Sequence, residues 1–125
     1  MNDGLRAFFL SFVHAWRGLR VAFRTEQSFR IQVAFGLAVF AAIWILPLSA
    51  TERVILLLAI AAVLVLELLN SMVERMVDLF KPRLHEYVRD IKDLMAATVL
   101  LASLFAALVG FMILWPHAIA VVGRL

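Results

Sequence analysis

The sequence predicts an all-α protein integral to a membrane, with three transmembrane helices and an N-terminal amphipathic helix on the bilayer surface. Three observations carry that expectation. Of 125 residues, 65% are hydrophobic and only 17% are charged, against about 45–50% and about 25% in a soluble domain. A chain this short has little interior in which to hide apolar side chains, so the composition asks for lipid as solvent. Charge is also missing from three long stretches, and the N-terminal segment interleaves arginines with apolar residues at helical spacing. The same composition excludes a disordered chain. The absence of cysteine excludes a disulfide framework, a thiolate metal site and a cysteine nucleophile. The length allows one domain, residues 1–125.

The first expected element is a surface helix over residues 4–24. Leu5, Phe8, Phe9, Phe12, Val13, Trp16, Leu19 and Phe23 recur at spacings of three, four and seven, with Arg6, Arg17, Arg20 and Arg24 between them. That is one apolar face of a helix lying along the bilayer. The segment lacks the basic start, pure apolar stretch and small-residue cleavage site of a signal peptide. The first span is expected over 31–50, because Ile31 to Thr51 carries no charge and a crossing needs about 20 apolar residues. Pro47 and Ser49 close it, and Leu48 to Arg53 reads as a short turn. The second span is expected over 54–80. Val54 to Val73 holds a single charge, Glu67, and Val73 to Phe80 continues the helix past the bilayer until Pro82 breaks it. The last element, 84–115, is expected to begin near Leu84 and run into a third span. Leu94 to Gly123 is free of charge, and Pro116 is expected to end the helix near Trp115.

The basic residues orient these spans. Arg6, Arg17, Arg20, Arg24 and Arg30 precede the first span, and Arg75, Lys81, Arg83, Arg89 and Lys92 lie between the second and third. Two crossings separate the groups, so they share a side. Only Arg53 and Arg124 fall opposite. The basic side is expected to be cytoplasmic.

Glu67 is the residue that most needs explaining. An ionisable group at membrane depth costs about 2.5–3.5 kcal/mol on insertion scales and is a functional candidate by default. Asn70, Glu74 and Asp78 follow it at offsets that put all four on one helical face. This stripe runs from hydrocarbon toward cytoplasmic water, and like charges along it require a cation: Arg or Lys from another helix, or a divalent metal. Interhelical polar contact or a solvated face is the plainer reading for single members of the stripe. Glu26, between the surface helix and the first span, lies at the bilayer level of Glu74. The two would make an oxygen pair suited to Mg²⁺, often held by one or two carboxylates plus phosphates. Lys92, just before the third span, can reach an anionic group at the surface. No GxxxxGK[ST] or GxGxxG occurs, so any nucleotide phosphates must be neutralised by side chains and metal. No HExxH occurs, and the three histidines lie far apart. For the basic surface helix, anionic lipid is a better partner than nucleic acid.

Glu67-Leu-Leu-Asn70-Ser-Met-Val-Glu74, followed by Val77-Asp78, His85 and Lys92-Asp93, resembles the bacterial diacylglycerol kinase family of small membrane lipid kinases. Arg17-Gly18-Leu19-Arg20 and Thr25-Glu26-Gln27-Ser28-Phe29-Arg30-Ile31 extend the resemblance over residues 11–115, the latter in a form nearer the undecaprenol kinase branch. The resemblance implies a homotrimer with active sites shared between subunits at the cytoplasmic membrane edge. It implies ATP with Mg²⁺ as phosphoryl donor and diacylglycerol or undecaprenol as acceptor. It makes Glu67 the general base, also touching the acceptor, with Asn70 supporting it, and Glu26 and Glu74 the metal ligands. His85, Lys92 and Asp93 fall at nucleotide-contacting positions, and Arg20 in the lipid-facing part of the surface helix. Met95-Ala96 stands where the diacylglycerol kinase branch has Gly-Ser, Asp90 where it often has a basic residue, and His14 where members place an aromatic. Ala7, next to Arg6, occupies a position expected to be basic.

Two other classes fit part of the pattern. A small proton-coupled multidrug-type transporter also carries one membrane-embedded glutamate, but with four spans and minimal loops. A non-catalytic assembly protein could use Glu67 and Asn70 as interhelical glue. In every case three thin spans cannot cover the polar stripe alone, so an oligomer is expected, packed through small residues such as Ala96, Ala97, Ala102, Ala106, Ala107 and Gly110.

Overall fold

The computed structural model describes residues 3–80 and 85–124. Among them four α-helices follow in order: α1 (Asp3–Thr25), α2 (Gln27–Ile45), α3 (Ala50–Asp78) and α4 (His85–Val122). Three of these, α2, α3 and α4, are long and apolar enough to cross a membrane. At about 1.5 Å per residue, α2 matches a hydrocarbon core of about 30 Å, whereas α3 and α4 overshoot it by several turns. α3 packs against both α2 and α4, and α1 leans on α2. The chain's large apolar residues are mostly exposed on the outer faces of these helices, Phe35, Leu37, Leu58, Phe105 and Phe111 among them. Such a surface suits lipid and not water.

The tightest packing lies at the α2–α3 turn. Ile43 and Leu56 are fully buried there and join Leu48, with Val39, Ile60, Ile113 and Leu114 against them. Gly36 lets α2 and α3 approach: a Cβ there would lie 3.1 Å from Ile60 Cγ2. At the same end Arg53 sits over the Trp44 ring, 5.4 Å from its centroid, a cation–π contact.

Several boundaries differ from the sequence expectation. α2 begins at Gln27, one turn before the charge-free stretch, because the break between α1 and α2 is confined to Glu26 (φ −107°, ψ 111°). It ends at Ile45, before Pro47. The expected turn over Leu48 to Arg53 is shorter, since α3 already starts at Ala50. Ser49 caps it: its hydroxyl accepts from the Glu52 N–H while the Glu52 carboxylate accepts from the Ser49 N–H at 2.8 Å. This reciprocal pair satisfies two backbone donors that a helix start leaves open. α3 ends at Asp78, with Leu79 and Phe80 in tighter turns onto Met76 and Val77. The break at Pro82 and the helix start near Leu84 lie outside the described residues. The largest correction concerns Pro116, which does not end α4; the helix runs on to Val122. A proline removes one N–H and crowds the carbonyls one turn earlier. The bond lost is the one to the Met112 carbonyl, and the helix runs past it; in the next position the His117 ring braces the same turn, its Nδ1 2.8 Å from the Ile113 carbonyl and its Nε2 3.7 Å from Glu52.

Candidate active site

The polar stripe of α3 starts from a buried acid. Glu67 is only 3% exposed, on a helix whose neighbouring turns are Val63 and Ser71, both buried. Burying a carboxylate is costly unless it is hydrogen-bonded. The partner comes from α2: Ser28 Oγ donates to Glu67 Oε2 at 3.2 Å. Ser71 Oγ donates to the Glu67 backbone carbonyl at 3.1 Å, so that hydroxyl is used within α3. One turn nearer the α3 C-terminus, Asn70 Nδ2 donates to Glu74 Oε1 at 3.3 Å, and not to Glu67, the carboxylate it was expected to support. Asn70 Oδ1 is buried and has no partner among the described residues. Glu74 lies seven residues from Glu67, or about 10 Å along the axis. Asp78 pairs with Lys92 Nζ of α4 at 2.6 Å. The cation that the stripe requires at its outer end is therefore supplied, in part, by another helix.

Glu26 occupies the one-residue joint between α1 and α2. It is the N-cap residue of α2 by position, yet its side chain makes no capping bond. Instead Oε1 accepts from Arg75 Nη2 at 3.1 Å and from Thr25 Oγ1 at 3.1 Å, and Arg75 also reaches Thr25 Oγ1 at 2.7 Å. Arg75 thus ties α3 to the joint. Arg30 secures the same corner by donating to the Phe23 and Arg24 carbonyls at the end of α1, where backbone acceptors lack helical donors. Among the described residues no group of three or more His, Asp or Glu side chains is assembled for a metal. The structure pairs Glu74 with Asn70 and Glu26 with Arg75, and not the two expected metal ligands with each other; by chemistry alone, the Glu74 and Glu26 carboxylates are hard oxygens. That donor set fits a cation such as Mg²⁺, which completes its shell with water and phosphate.

His85 and Asp93 lie exposed on the first three turns of α4, and Lys92 is half-buried there. Arg20 is exposed on α1 and does not line the groove between α1 and α3. That groove, about 700 Å³, is bounded by Leu19, Leu68 and Met72, with His14, Arg17, Ser71 and Arg75 as its polar members. The structure therefore joins Glu67 to Ser28, Asn70 to Glu74 and Asp78 to Lys92, and pairs Glu26 with Arg75. Ser28, Thr25 and Arg75 were not singled out in the sequence. Arg75 adjoins Glu74 and Ser28 lies two residues after Glu26, but only the helix packing reveals which carboxylates they meet.

Residues 13–114 match the model of a family described as prokaryotic diacylglycerol kinase. The chain is similar to a diacylglycerol kinase of Synechocystis sp., 41% identical over 108 residues that span 86% of this chain and 62% of that one. It is also similar to the undecaprenol kinase of Bacillus subtilis, 36% identical over 92% of this chain and 94% of the relative. A diacylglycerol kinase of Escherichia coli is 38% identical over 83% of this chain and 85% of its own length.

Proposed function

The chain belongs to the prokaryotic diacylglycerol kinase family and is thereby a membrane lipid kinase, and from that premise we propose that it moves the γ-phosphoryl group of ATP, in a Mg²⁺-dependent reaction, to the hydroxyl of diacylglycerol or undecaprenol. The observation that carries this reading is Glu67: a carboxylate 3% exposed, inside an apolar helix, hydrogen-bonded across to α2 and continued toward the helix end by Asn70, Glu74 and Asp78. Family membership sets aside the multidrug-type transporter and the non-catalytic assembly protein.

Phosphoryl transfer asks the protein mainly for alignment and charge neutralisation, because its transition state is largely dissociative. Glu67 is deep enough to meet a hydroxyl presented from the bilayer and takes its proton. Asn70 holds the Glu74 carboxylate through Nδ2. Glu74 and Glu26 would hold the Mg²⁺ ion, which when bound neutralises the β- and γ-phosphates. Lys92, His85 and Asp93 contact the nucleotide, Lys92 adding positive charge at the γ-phosphate. Arg20 faces the lipid. The interval of about 10 Å from Glu67 to Glu74 separates a hydrocarbon-borne acceptor from a water-borne donor. In this reading the chain forms a single domain, α1 is an amphipathic helix along the membrane surface, the basic side faces the cytoplasm across the inner membrane, and three copies associate; the protomer itself already covers Glu67.

The test is lipid phosphorylation in mixed micelles, with labelled ATP and a panel of diacylglycerol, undecaprenol and a long-chain monoacylglycerol. Label should enter lipid only with Mg²⁺ present, and Glu67→Gln should lower the rate by roughly 10²-fold or more, the range for losing a general base, in a protein that remains folded. Full activity in Glu67→Gln would remove Glu67 from the chemistry. Native mass spectrometry should find a trimer; a monomer that turns over would remove the shared-site arrangement.

A further inference from the structure

The Glu67 carboxylate is almost sealed within the protomer at 3% exposure. Ser28 is not: it lies exposed on the first turn of α2 while its hydroxyl donates to Glu67 Oε2 at 3.2 Å. Its place is fixed from both sides. The next residue, Phe29, is buried at 4%, and Arg30 pins this turn to the end of α1. An acceptor alcohol approaching from outside the protomer therefore meets the Ser28 hydroxyl before the carboxylate. A serine hydroxyl has one hydrogen to donate and two lone pairs to accept with, so Ser28 can hold Glu67 and the incoming alcohol at once.

We propose that Ser28 is a catalytic residue that relays the acceptor's proton to Glu67. The inference rests on the reading of Glu67 as the base. In the step, the alcohol's O–H bond breaks as its oxygen bonds to the γ-phosphorus, and that proton passes to Ser28 Oγ. The hydrogen already on Ser28 passes to Glu67 Oε2, and the bond from the γ-phosphorus to the bridging oxygen breaks with its electron pair leaving on ADP. Ser28 ends neutral, and Glu67 ends protonated and returns its proton to water before the next turnover. The plainer role for Ser28 is a brace between α2 and α3, and a brace has different consequences. It contributes stability, while a relay contributes to the chemical step and needs a hydroxyl.

The experiment compares the wild type with Ser28→Ala, Ser28→Thr and Glu67→Gln, by single-turnover rates with MgATP and lipid in micelles, thermal unfolding, and rates in H₂O–D₂O mixtures. Ser28→Ala should lose roughly ten- to a hundredfold in the single-turnover rate, the scale of a proton-transfer contribution, with KM for MgATP unchanged and the protein still folded at the assay temperature, although loss of the Glu67 partner lowers its unfolding temperature. Ser28→Thr should restore the rate. The wild type should give a curved dependence on deuterium fraction, from two protons in motion, and Ser28→Ala a straight one. Wild-type rate in Ser28→Ala, or failure of Ser28→Thr to restore it, overturns the relay. Glu67→Gln separates the two readings. If it is active, the base assignment falls; if it is dead while Ser28→Ala is fully active, the relay alone falls.

Discussion

Arg75 and the proposed metal ligand Glu26 make a competition that can be measured. Arg75 Nη2 stands 3.1 Å from Glu26 Oε1, with the arginine side chain 53% exposed and the glutamate 23%. Exposure on that scale limits such a pair to about 0.2–1 kcal/mol. If Glu26 holds Mg²⁺ during turnover, its pairing with Arg75 must be given up or shared. The metal's apparent affinity is then lowered by no more than the pair's own worth. One pKa-sized unit of 1.36 kcal/mol is tenfold, so the upper half of that range, about 0.5–1 kcal/mol, corresponds to roughly two- to fivefold. Arg75→Gln keeps a donor for Thr25 Oγ1 and removes the charge. The expected outcome is a roughly two- to fivefold fall in the free Mg²⁺ needed for half-maximal rate at saturating nucleotide, with an unfolding free energy lower by about 1 kcal/mol or less. The assay is lipid phosphorylation titrated with Mg²⁺ at two ionic strengths. The shift should shrink as salt rises, because exposed charges are screened over about 8 Å at physiological ionic strength. Arg75→Gln with an unchanged or higher Mg²⁺ requirement would refute the competition. A higher KM for nucleotide instead would make Arg75 a phosphate contact.

Two further predictions concern the opposite end of the helices. Ser49→Ala removes one half of the capping box that opens α3 and should cost about 1 kcal/mol of stability while single-turnover rates stay at wild type; an unchanged midpoint in denaturant-induced unfolding would show that the cap contributes nothing. Leu56→Ala empties a side chain that is 1% exposed beside Ile43 and should cost roughly 2–5 kcal/mol. It lies eleven residues, or about 16 Å, from Glu67, so the protein that remains folded should retain its KM values; altered KM at low temperature would contradict that separation.

The spans were legible because hydrocarbon tolerates few charges, so gaps in charge mark crossings without knowledge of packing. Glu67 was legible for the same reason reversed: a charge in such a gap has a cost that needs an explanation. Its surroundings were less so. Ser28 lies 39 positions earlier than Glu67, and Arg75 lies 49 positions after Glu26; contacts at that range belong to helix packing, to which no local periodicity refers. Two local signals were misread. Ser49 and Glu52 stand at capping-box spacing, yet the segment was expected to be a turn, because counting charges finds where lipid begins and not where the helix begins. Pro116 was expected to stop α4, because the rule for proline considers the lost N–H, yet a long helix can give up one backbone bond and continue, as α4 does to Val122.

A single residue separates α1 from α2, and it is the one whose carboxylate reaches toward Arg75. Helical hydrogen bonds close on both sides of it, from the Glu26 N–H to Ala22 and from Arg30 to the Glu26 carbonyl. The backbone keeps only two soft torsions per residue, so any swing of α1 relative to α2 is concentrated in the pivot that Glu26 forms. Its acid group rides on that pivot. The twenty-three residues of α1 thus form a lever with its short arm at the proposed magnesium ligand, so that a tilt of the one changes the aim of the other.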